Sequence, residues 1–278
     1  TPVLHARRTT PTMPLTMSDT SVPHSARIWN YWLGGKDHYA VDRAVGDQIQ
    51  AEFPEILRIA RAQRAFLART VSLLAGTLGV RQFLDVGTGL PAVNNTHEVA
   101  QAIAPESRIV YVDHDPLVLL HAQVQLRSDP EGACAYVDAD LRDPEAIISA
   151  ARSTLDLSQP VALMLLGIIA HITDDEAAYA IVRALLDSLP AGSYLVLCDG
   201  TAELHPVERN RMIELWNEAS DNPRVNRSPE RRAGFCDGLR LLGPGVVSVS
   251  RWRPQLVQVG RHRCHPQVDV FGGVGLKR

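Results

Sequence analysis

The sequence predicts a doubly wound α/β sheet preceded by a helical segment, and three observations carry that prediction. From Val80 onward, short β-type apolar runs alternate with stretches of helical periodicity. One of these runs, Val161 to Ile168, is nearly all apolar, as a strand covered on both faces of a parallel sheet must be. The first run passes straight into the glycine turn Gly87-Thr88-Gly89, and open α/β sheets bind ligands at such carboxyl-edge turns.

Taken in order, Thr1–Thr20 is rich in Thr and Pro and reads as a disordered tail, with Met17 as the candidate natural start. Residues 21–79 form a helical cap built from Ala26–Leu33, Ala40–Ile49 and Glu55–Leu78. This segment is too small to stand alone and is expected to pack over the ligand end of the sheet. The α/β domain occupies 80–278. Its expected strands are Gln82–Val86, Arg108–Val112, Cys134–Val137, Val161–Ile168 and Tyr194–Cys198, followed by Leu239–Leu242 and Val270–Leu276. The intervening helices are Thr96–Ile103, Pro116–Leu126 and Pro144–Ala151, then one capped by Asp174 and running to Leu189, then Pro206–Ala219. Pro at a first-turn position opens three of them.

Composition narrows the function. The chain has 278 residues, 45% hydrophobic and 21% charged, which places it among ordinary globular proteins. Its formal net charge of −3 excludes a broad electrostatic grip on nucleic acid or an anionic membrane. Lys36 and Lys277 are the only lysines; the arginine bias reads as genome composition, since nothing in the sequence clusters the arginines. The cysteines Cys134, Cys198, Cys236 and Cys264 form no C-x-x-C pair and read as small buried hydrophobes. His262, Cys264 and His265 lack a second ligand cluster and read as a surface segment, so no metal site is expected. The first twenty residues show no apolar signal stretch and no run is long enough to span a bilayer, so a cytoplasmic protein is expected.

The chemistry centres on Phe83-Leu84-Asp85-Val86-Gly87-Thr88-Gly89. Gly87-x-Gly89-x-x-Ala92 fits a loose dinucleotide fingerprint, and Asp113, 24 positions beyond Gly89, is placed to bind a ribose diol. A nicotinamide dinucleotide and S-adenosylmethionine therefore compete. Asp85 separates them, because a carboxylate repels a pyrophosphate at this turn but suits the ammonium of S-adenosylmethionine. Asp138-Ala139-Asp140-Leu141 adds an acid able to accept from an adenine amino group.

Longer strings then become specific. They are S-A-R-I-W-N-Y-W-L-G-G-K-D-H-Y-A-V-D-R (Ser25–Arg43), Q-R-A-F-L (Gln63–Leu67), R-Q-F-L-D-V-G-T-G-L-P (Arg81–Pro91) and N-T-H-E-V-A (Asn95–Ala100). V-Y-V-D-H-D-P (Val110–Pro116), Y-V-D-A-D-L-R-D-P-E-A-I (Tyr136–Ile147), D-G-L-R-L-L-G-P-G-V-V (Asp237–Val247), R-W-R-P (Arg251–Pro254) and F-G-G-V-G (Phe271–Gly275) continue them. On these residues the sequence resembles a bacterial S-adenosyl methyltransferase family long described as a domain of unknown function. The resemblance implies a Rossmann-like class I methyltransferase sheet of seven strands with the last antiparallel. It also implies that Gly87, Thr88 and Gly89 line the methionine and ribose portion of the cofactor and that Asp113 takes the ribose hydroxyls. His114 should lie beside the adenine, and Asp140 and Leu141 should frame its edge. Ala170-His171-Ile172-Thr173 and Cys198-Asp199-Gly200 depart from the relatives' pattern at places that border the acceptor pocket.

Candidate residues for the transfer itself are His171, Lys36 and Asp37. His171, at the end of the fourth strand, reads as a general base or as a packing histidine. Gly34-Gly35-Lys36-Asp37, flanked by aromatics, reads as a lid or as a helix-to-helix turn with a solvated ion pair. Arg64 suits the methionine carboxylate or the open surface. Asn95, counted among the cofactor residues, caps the helix after the glycine loop together with Thr96. A small-molecule acceptor is expected, without nucleic acid or membrane, and no feature specifies an oligomeric state. The competing functions are a non-catalytic S-adenosylmethionine-binding regulator, a nicotinamide-dependent oxidoreductase, and a different reaction at the sulfonium.

Overall fold

Alternation along five strands determines how the protein is layered. The computed structural model describes residues 21–125, 127–220, 222–254 and 266–278. The expected tail and the His262, Cys264 and His265 segment lie outside these residues. Strands β1 (Gln82–Val86), β2 (Arg108–Asp113), β3 (Ala133–Asp138), β4 (Ala162–Leu166) and β5 (Tyr194–Gly200) pair in parallel in the order β3-β2-β1-β4-β5. Successive side chains on a strand point to opposite faces. Phe83, Ile109, Tyr111, Met164 and Val196 accordingly fill one hydrophobic cluster, and Leu84, Val110, Leu163, Leu165 and Leu195 fill the other.

Helix α5 (Pro116–Gln125) follows β2, and the second face is covered by α6 (Pro144–Ala151) and α7 (Asp175–Asp187), through residues such as Ile147, Ile148, Val182 and Leu185. The first face is covered by α1 (Ser25–Trp32), α2 (Ala40–Glu52), α3 (Ile56–Ser72), α4 (Thr96–Gln101) and α8 (Pro206–Ala219). Ile28, Ile49, Ile59, Phe66 and Trp216 from these helices share one cluster with the sheet residues. A buried ion pair joins the first two helices: Arg27 Nε lies 3.0 Å from Asp42 Oδ2, and Asp42 also accepts from the His24 and Tyr39 amides at 2.9 and 2.8 Å. Arg69 on α3 donates from Nε to Trp252 O at 2.9 Å, which ties the amino-terminal helices to a distant stretch of chain.

Several boundaries differ from the sequence expectation for local reasons. The long helix expected to Leu78 widens at Leu73–Thr77 into a π-turn, with Leu78 N donating to Leu73 O at 3.0 Å. β4 stops at Leu166 because Gly167, at φ 86°, turns the chain into a short 3₁₀ segment, Ile169–His171. The expected last strand, β8 (Val270–Leu276), is antiparallel to β5. The sheet has eight strands where seven are expected, because the position beyond β8 is filled by two short pieces. These are β6 (Arg240–Leu241) and β7 (Val247–Ser248), both antiparallel to β8. Between them lies Gly243-Pro244-Gly245, where Pro244 has no N–H to give to a ladder. A short helix, α9 (Pro229–Ala233), was not signalled by periodicity. Of the cysteines within the described residues, Cys198 and Cys236 are buried and Cys134 is half-buried, all as free thiols.

Among the described residues, no helix is long and apolar enough to cross a membrane, and no three His, Cys, Asp or Glu side chains gather as a metal site.

Candidate active site

The carboxyl ends of β1, β2 and β4 open into one cavity roofed by α1, α3 and the end of α8. Its floor is the turn after β1. Gly87 and Gly89 sit at φ 72° and 63°, conformations that side-chain-bearing residues rarely adopt. A Cβ on Gly87 would stand 2.4 Å from Ile168 Cγ1, so the β1 and β4 loops can meet only through a glycine. A Cβ on Gly89 would have no atom within 4 Å, so that face of the turn is open. Asp113 at the end of β2 holds the turn in place: Gly89 N donates to its Oδ2 at 3.0 Å, and Asp115 N donates to its Oδ1 at 3.1 Å. Burial raises the Asp113 pKa above the ordinary carboxyl value, against the pull of these two amides.

Asp85 follows Phe83 on the same face of β1 and so points toward α3 and α4. It is 5% exposed and accepts from the Thr96 hydroxyl at 2.6 Å. Burial pushes its pKa up to about 6; the Thr96 hydrogen bond and Arg64 oppose that shift, and Asp113 adds to it. Arg64, on α3, donates from Nε to Val93 O at 3.1 Å and from Nη2 to Asn95 Oδ1 at 2.9 Å. Asn95 also accepts from Ala92 N at 3.1 Å, and its own amide donates to Glu98 at 2.8 Å, closing a capping box on α4. The glycine turn, its helix and the α3 arginine are therefore tied together by hydrogen bonds.

At the other end, His171 Nδ1 lies 3.1 Å from Pro223 O. A carbonyl only accepts, so Nδ1 carries the proton and Nε2 of the neutral ring keeps its lone pair. Burial lowers the His171 pKa to about 4, assisted by Arg224 and opposed by Asp199. The ring centroid is 6.4 Å from that of Trp216.

Of the residues that the sequence nominates, Arg64, Asp85, Gly87, Thr88 and Gly89 line this cavity, and so do Asp113, His114 and His171. Asn95 lies behind the wall and reaches it through Arg64. Leu141 packs into the core of the opposite face, and Asp140 binds the Arg142 backbone N–H at 2.8 Å. The turn holding them adjoins Asp113 through Ala139 N, which donates to Asp113 O at 3.2 Å. Lys36 and Asp37 are not among the lining residues; Asp37 N donates to Asn30 Oδ1 at 3.1 Å, folding that turn back on α1.

Sequence reasoning missed the α1 contribution of Ala26, Trp29, Asn30 and Leu33, although their spacing is a helical stripe that was there to be found. It also missed Gln63, whose amide donates to Leu166 O at 2.9 Å, and the group Trp216, Asn222 and Arg224. The arginines, which nothing clusters in the sequence, are gathered by folding: Arg209, Arg224, Arg227 and Arg232 are all buried around the end of β5.

A sheet of order β3-β2-β1-β4-β5 with an antiparallel β8, a glycine turn after β1 and acids at the strand ends define a class I methyltransferase that uses S-adenosylmethionine. The chain belongs to the S-adenosyl methyltransferase family, whose sequence profile it matches over residues 12–278. It is similar to a DUF574 family protein from Streptomyces avermitilis MA-4680, with 43% identity and a TM-score of 0.87 over 94% of this chain and 99% of that one. A candidate methyltransferase from Thermobifida fusca YX is 35% identical, with a TM-score of 0.84 over 94% and 97% of the two chains. The plantazolicin methyltransferase BpumL, in complex with S-adenosylhomocysteine, shares the fold at 12% identity and a TM-score of 0.50, over 91% and 95% of the chains. No curated protein matches the chain.

The residues present fit the cofactor. The open face at Gly89 leaves room for a ligand against the backbone, and the carboxylates of Asp85 and Asp113 suit an ammonium and a diol. A pyrophosphate at the same turn would meet both acids, and the oxidoreductase alternative is set aside with it.

Proposed function

We propose that the protein transfers the methyl group of S-adenosylmethionine to a small molecule, which enters at the end of the cavity bounded by His171 and Trp216. The observation that carries this reading is a single cavity shared by two different sets of residues. Arg64, Asp85, Gly87, Thr88, Gly89, Asp113 and His114 line one part, and His171, Trp216, Asn222 and Arg224 line the other. In our reading the first set receives the cofactor: Asp85 faces the ammonium, Arg64 the carboxylate and Asp113 the ribose hydroxyls. His114 meets the adenine, with the Asp140–Leu141 turn alongside.

When bound, S-adenosylmethionine supplies an electrophilic methyl on a sulfonium, open to in-line displacement by the acceptor. The protein's own task is then to hold the acceptor nucleophile on that line. His171 is neutral near physiological pH and offers the Nε2 lone pair, so it accepts a hydrogen bond from the acceptor and orients it. A group that takes up a proton only near pH 4 is a weak general base at neutral pH, so positioning is its main work. Helix α1 over the cavity helps to exclude water from the reacting atoms.

Calorimetric titration with S-adenosylhomocysteine, followed by incubation with methyl-labelled cofactor and a metabolite extract, tests this function. We expect one-to-one binding and label in the small-molecule fraction. Label recovered only on protein or nucleic acid, or binding without any turnover, would overturn it.

A further inference from the structure

Arg224 is a buried cation with little to bind. It is 7% exposed and lines the acceptor end of the cavity. Among the described residues its guanidinium hydrogen-bonds only through Nη2, with long contacts of 3.4 Å each to Gly167 O and Asp199 Oδ1; its buried Nε has no partner. Asp199 is its counter-ion at 3.4 Å, but the same carboxylate also faces Arg232 and accepts from Ala170 N at 2.6 Å and from Gly200 N at 2.8 Å, so one acid is shared between two buried cations. The other buried arginines nearby bring more positive charge. Of these, Arg227 is well supplied, with Nε, Nη1 and Nη2 at 2.8, 3.0 and 2.5 Å from Asp175, Ile169 O and Ile172 O. A charge held out of water with so few partners is costly unless something else meets it.

The position of Arg224 is built. Trp216 Nε1 donates to Asn222 O at 3.1 Å, and the Asn217 side chain bonds both the N–H and the carbonyl of Arg224 at 2.8 and 3.0 Å. Val225 N donates to Ala170 O at 3.0 Å, which fastens the segment to the loop that carries His171. The Trp216 ring lies 5.2 Å from the guanidinium carbon and buttresses it. The cavity's other arginine, Arg64, lies over the β1 turn beside Asp85 and Asn95, so the two cations serve two different ends.

We propose, building on the methyltransferase reading above, that the methyl acceptor carries a carboxylate and that Arg224 receives it beside His171. A guanidinium edge matches the two oxygens of a carboxylate. A monoanion suits the place better than a phosphate dianion, because Asp199 already lies 3.4 Å from the same guanidinium. The acceptor is thereby held by its acid group while His171 orients the nucleophile.

The test uses the full-length protein saturated with S-adenosylhomocysteine, with benzoate, benzamide and phenyl phosphate as probes in calorimetry. Benzoate is expected to bind roughly tenfold or more tightly than benzamide, and Arg224→Met to remove that preference while S-adenosylhomocysteine affinity is kept. Arg224→Lys should retain part of it. Should Arg224→Met fail to fold, Arg224→Lys takes its place and must weaken benzoate while leaving benzamide unchanged. The proposal is overturned if benzoate binds no better than benzamide, if phenyl phosphate binds better than benzoate, or if the preference survives loss of Arg224. It is equally overturned if Arg224→Met weakens S-adenosylhomocysteine and leaves benzoate unaffected. Failure of S-adenosylhomocysteine to bind the unmodified protein is a different result and rejects the cofactor assignment itself.

Discussion

Asp85 carries a conflict between stability and binding. Its pKa of about 6 against an ordinary 3.8 means that the folded protein holds this proton more tightly than the unfolded chain does. The stabilisation belonging to the protonated form is present at low pH and is lost as pH rises through that interval. At neutral pH an ionised Asp85 therefore costs on the order of 1–3 kcal/mol in the ligand-free protein. Asp85→Asn is expected to melt higher than the parent above about pH 6, with the difference closing toward pH 3.8, while binding S-adenosylhomocysteine more weakly. A melting series with calorimetry across that range checks both signs. The same acid predicts that cofactor affinity rises with pH up to about 6 and then levels, because binding to an ammonium requires the carboxylate form. His171 shifts the other way: with its pKa lowered to about 4, its stabilisation is complete above the ordinary 6.5 and is lost as pH falls through 4. Its ring resonances in NMR should stay those of a neutral imidazole down to about pH 5, and Arg224→Met should move the titration upward. A ring that titrates near 6.5 in the folded protein contradicts the burial argument.

At the scale of elements, the turn after β1 was legible because its requirement is local. Two glycines at this spacing after a strand specify the positive φ values found at Gly87 and Gly89. Strands β1 to β5 and helices α6 and α8 were legible for a related reason, since hydrophobic period and capping residues act within a few positions. The split of the sixth strand position into β6 and β7 was not, because pairing with β8 is decided across the sheet. The Gly34–Asp37 turn shows the same limit from the other side. Its composition suits a lid, yet α1 supplies the cavity lining there, because Asn30 draws Asp37 back. The seam between α1 and α2 rests on Asp42, which is fully buried and faces Arg27 and two backbone amides. Asp42→Ala is expected to cost about 3–5 kcal/mol in chemical denaturation, since it leaves a buried cation without its acid. A loss below about 1 kcal/mol would show that the seam does not depend on this pair.

For the whole molecule, helices α1–α3 supply much of the apolar cover on the first face of the sheet. Phe83, Ile109, Tyr111, Met164 and Val196 share their cluster with Ile28, Ile49, Ile59, Phe66 and Leu74. Removing residues 21–79 is expected to leave residues 80–278 aggregated or molten, with no cooperative melting, because that apolar face would meet water. The intact chain should unfold in one transition. Two separate melting steps, or a well-folded remainder by NMR, would show instead that the α/β part is independent of its cap.

Local physics was enough to specify the doubly wound sheet, the glycine turn, the strand-end acids and the choice of cofactor. Each of these depends on a residue type at a short, fixed spacing. The acceptor end required the folded chain. His171 is far in sequence from Trp216 and Arg224, and it meets them only when α8 and the segment after it close over β4. Arginine is legible as surface charge when read singly; its burial depends on carbonyls, rings and carboxylates contributed by distant strands and loops. Charge composition alone could not foresee that environment, whereas the packed sheet edge creates it.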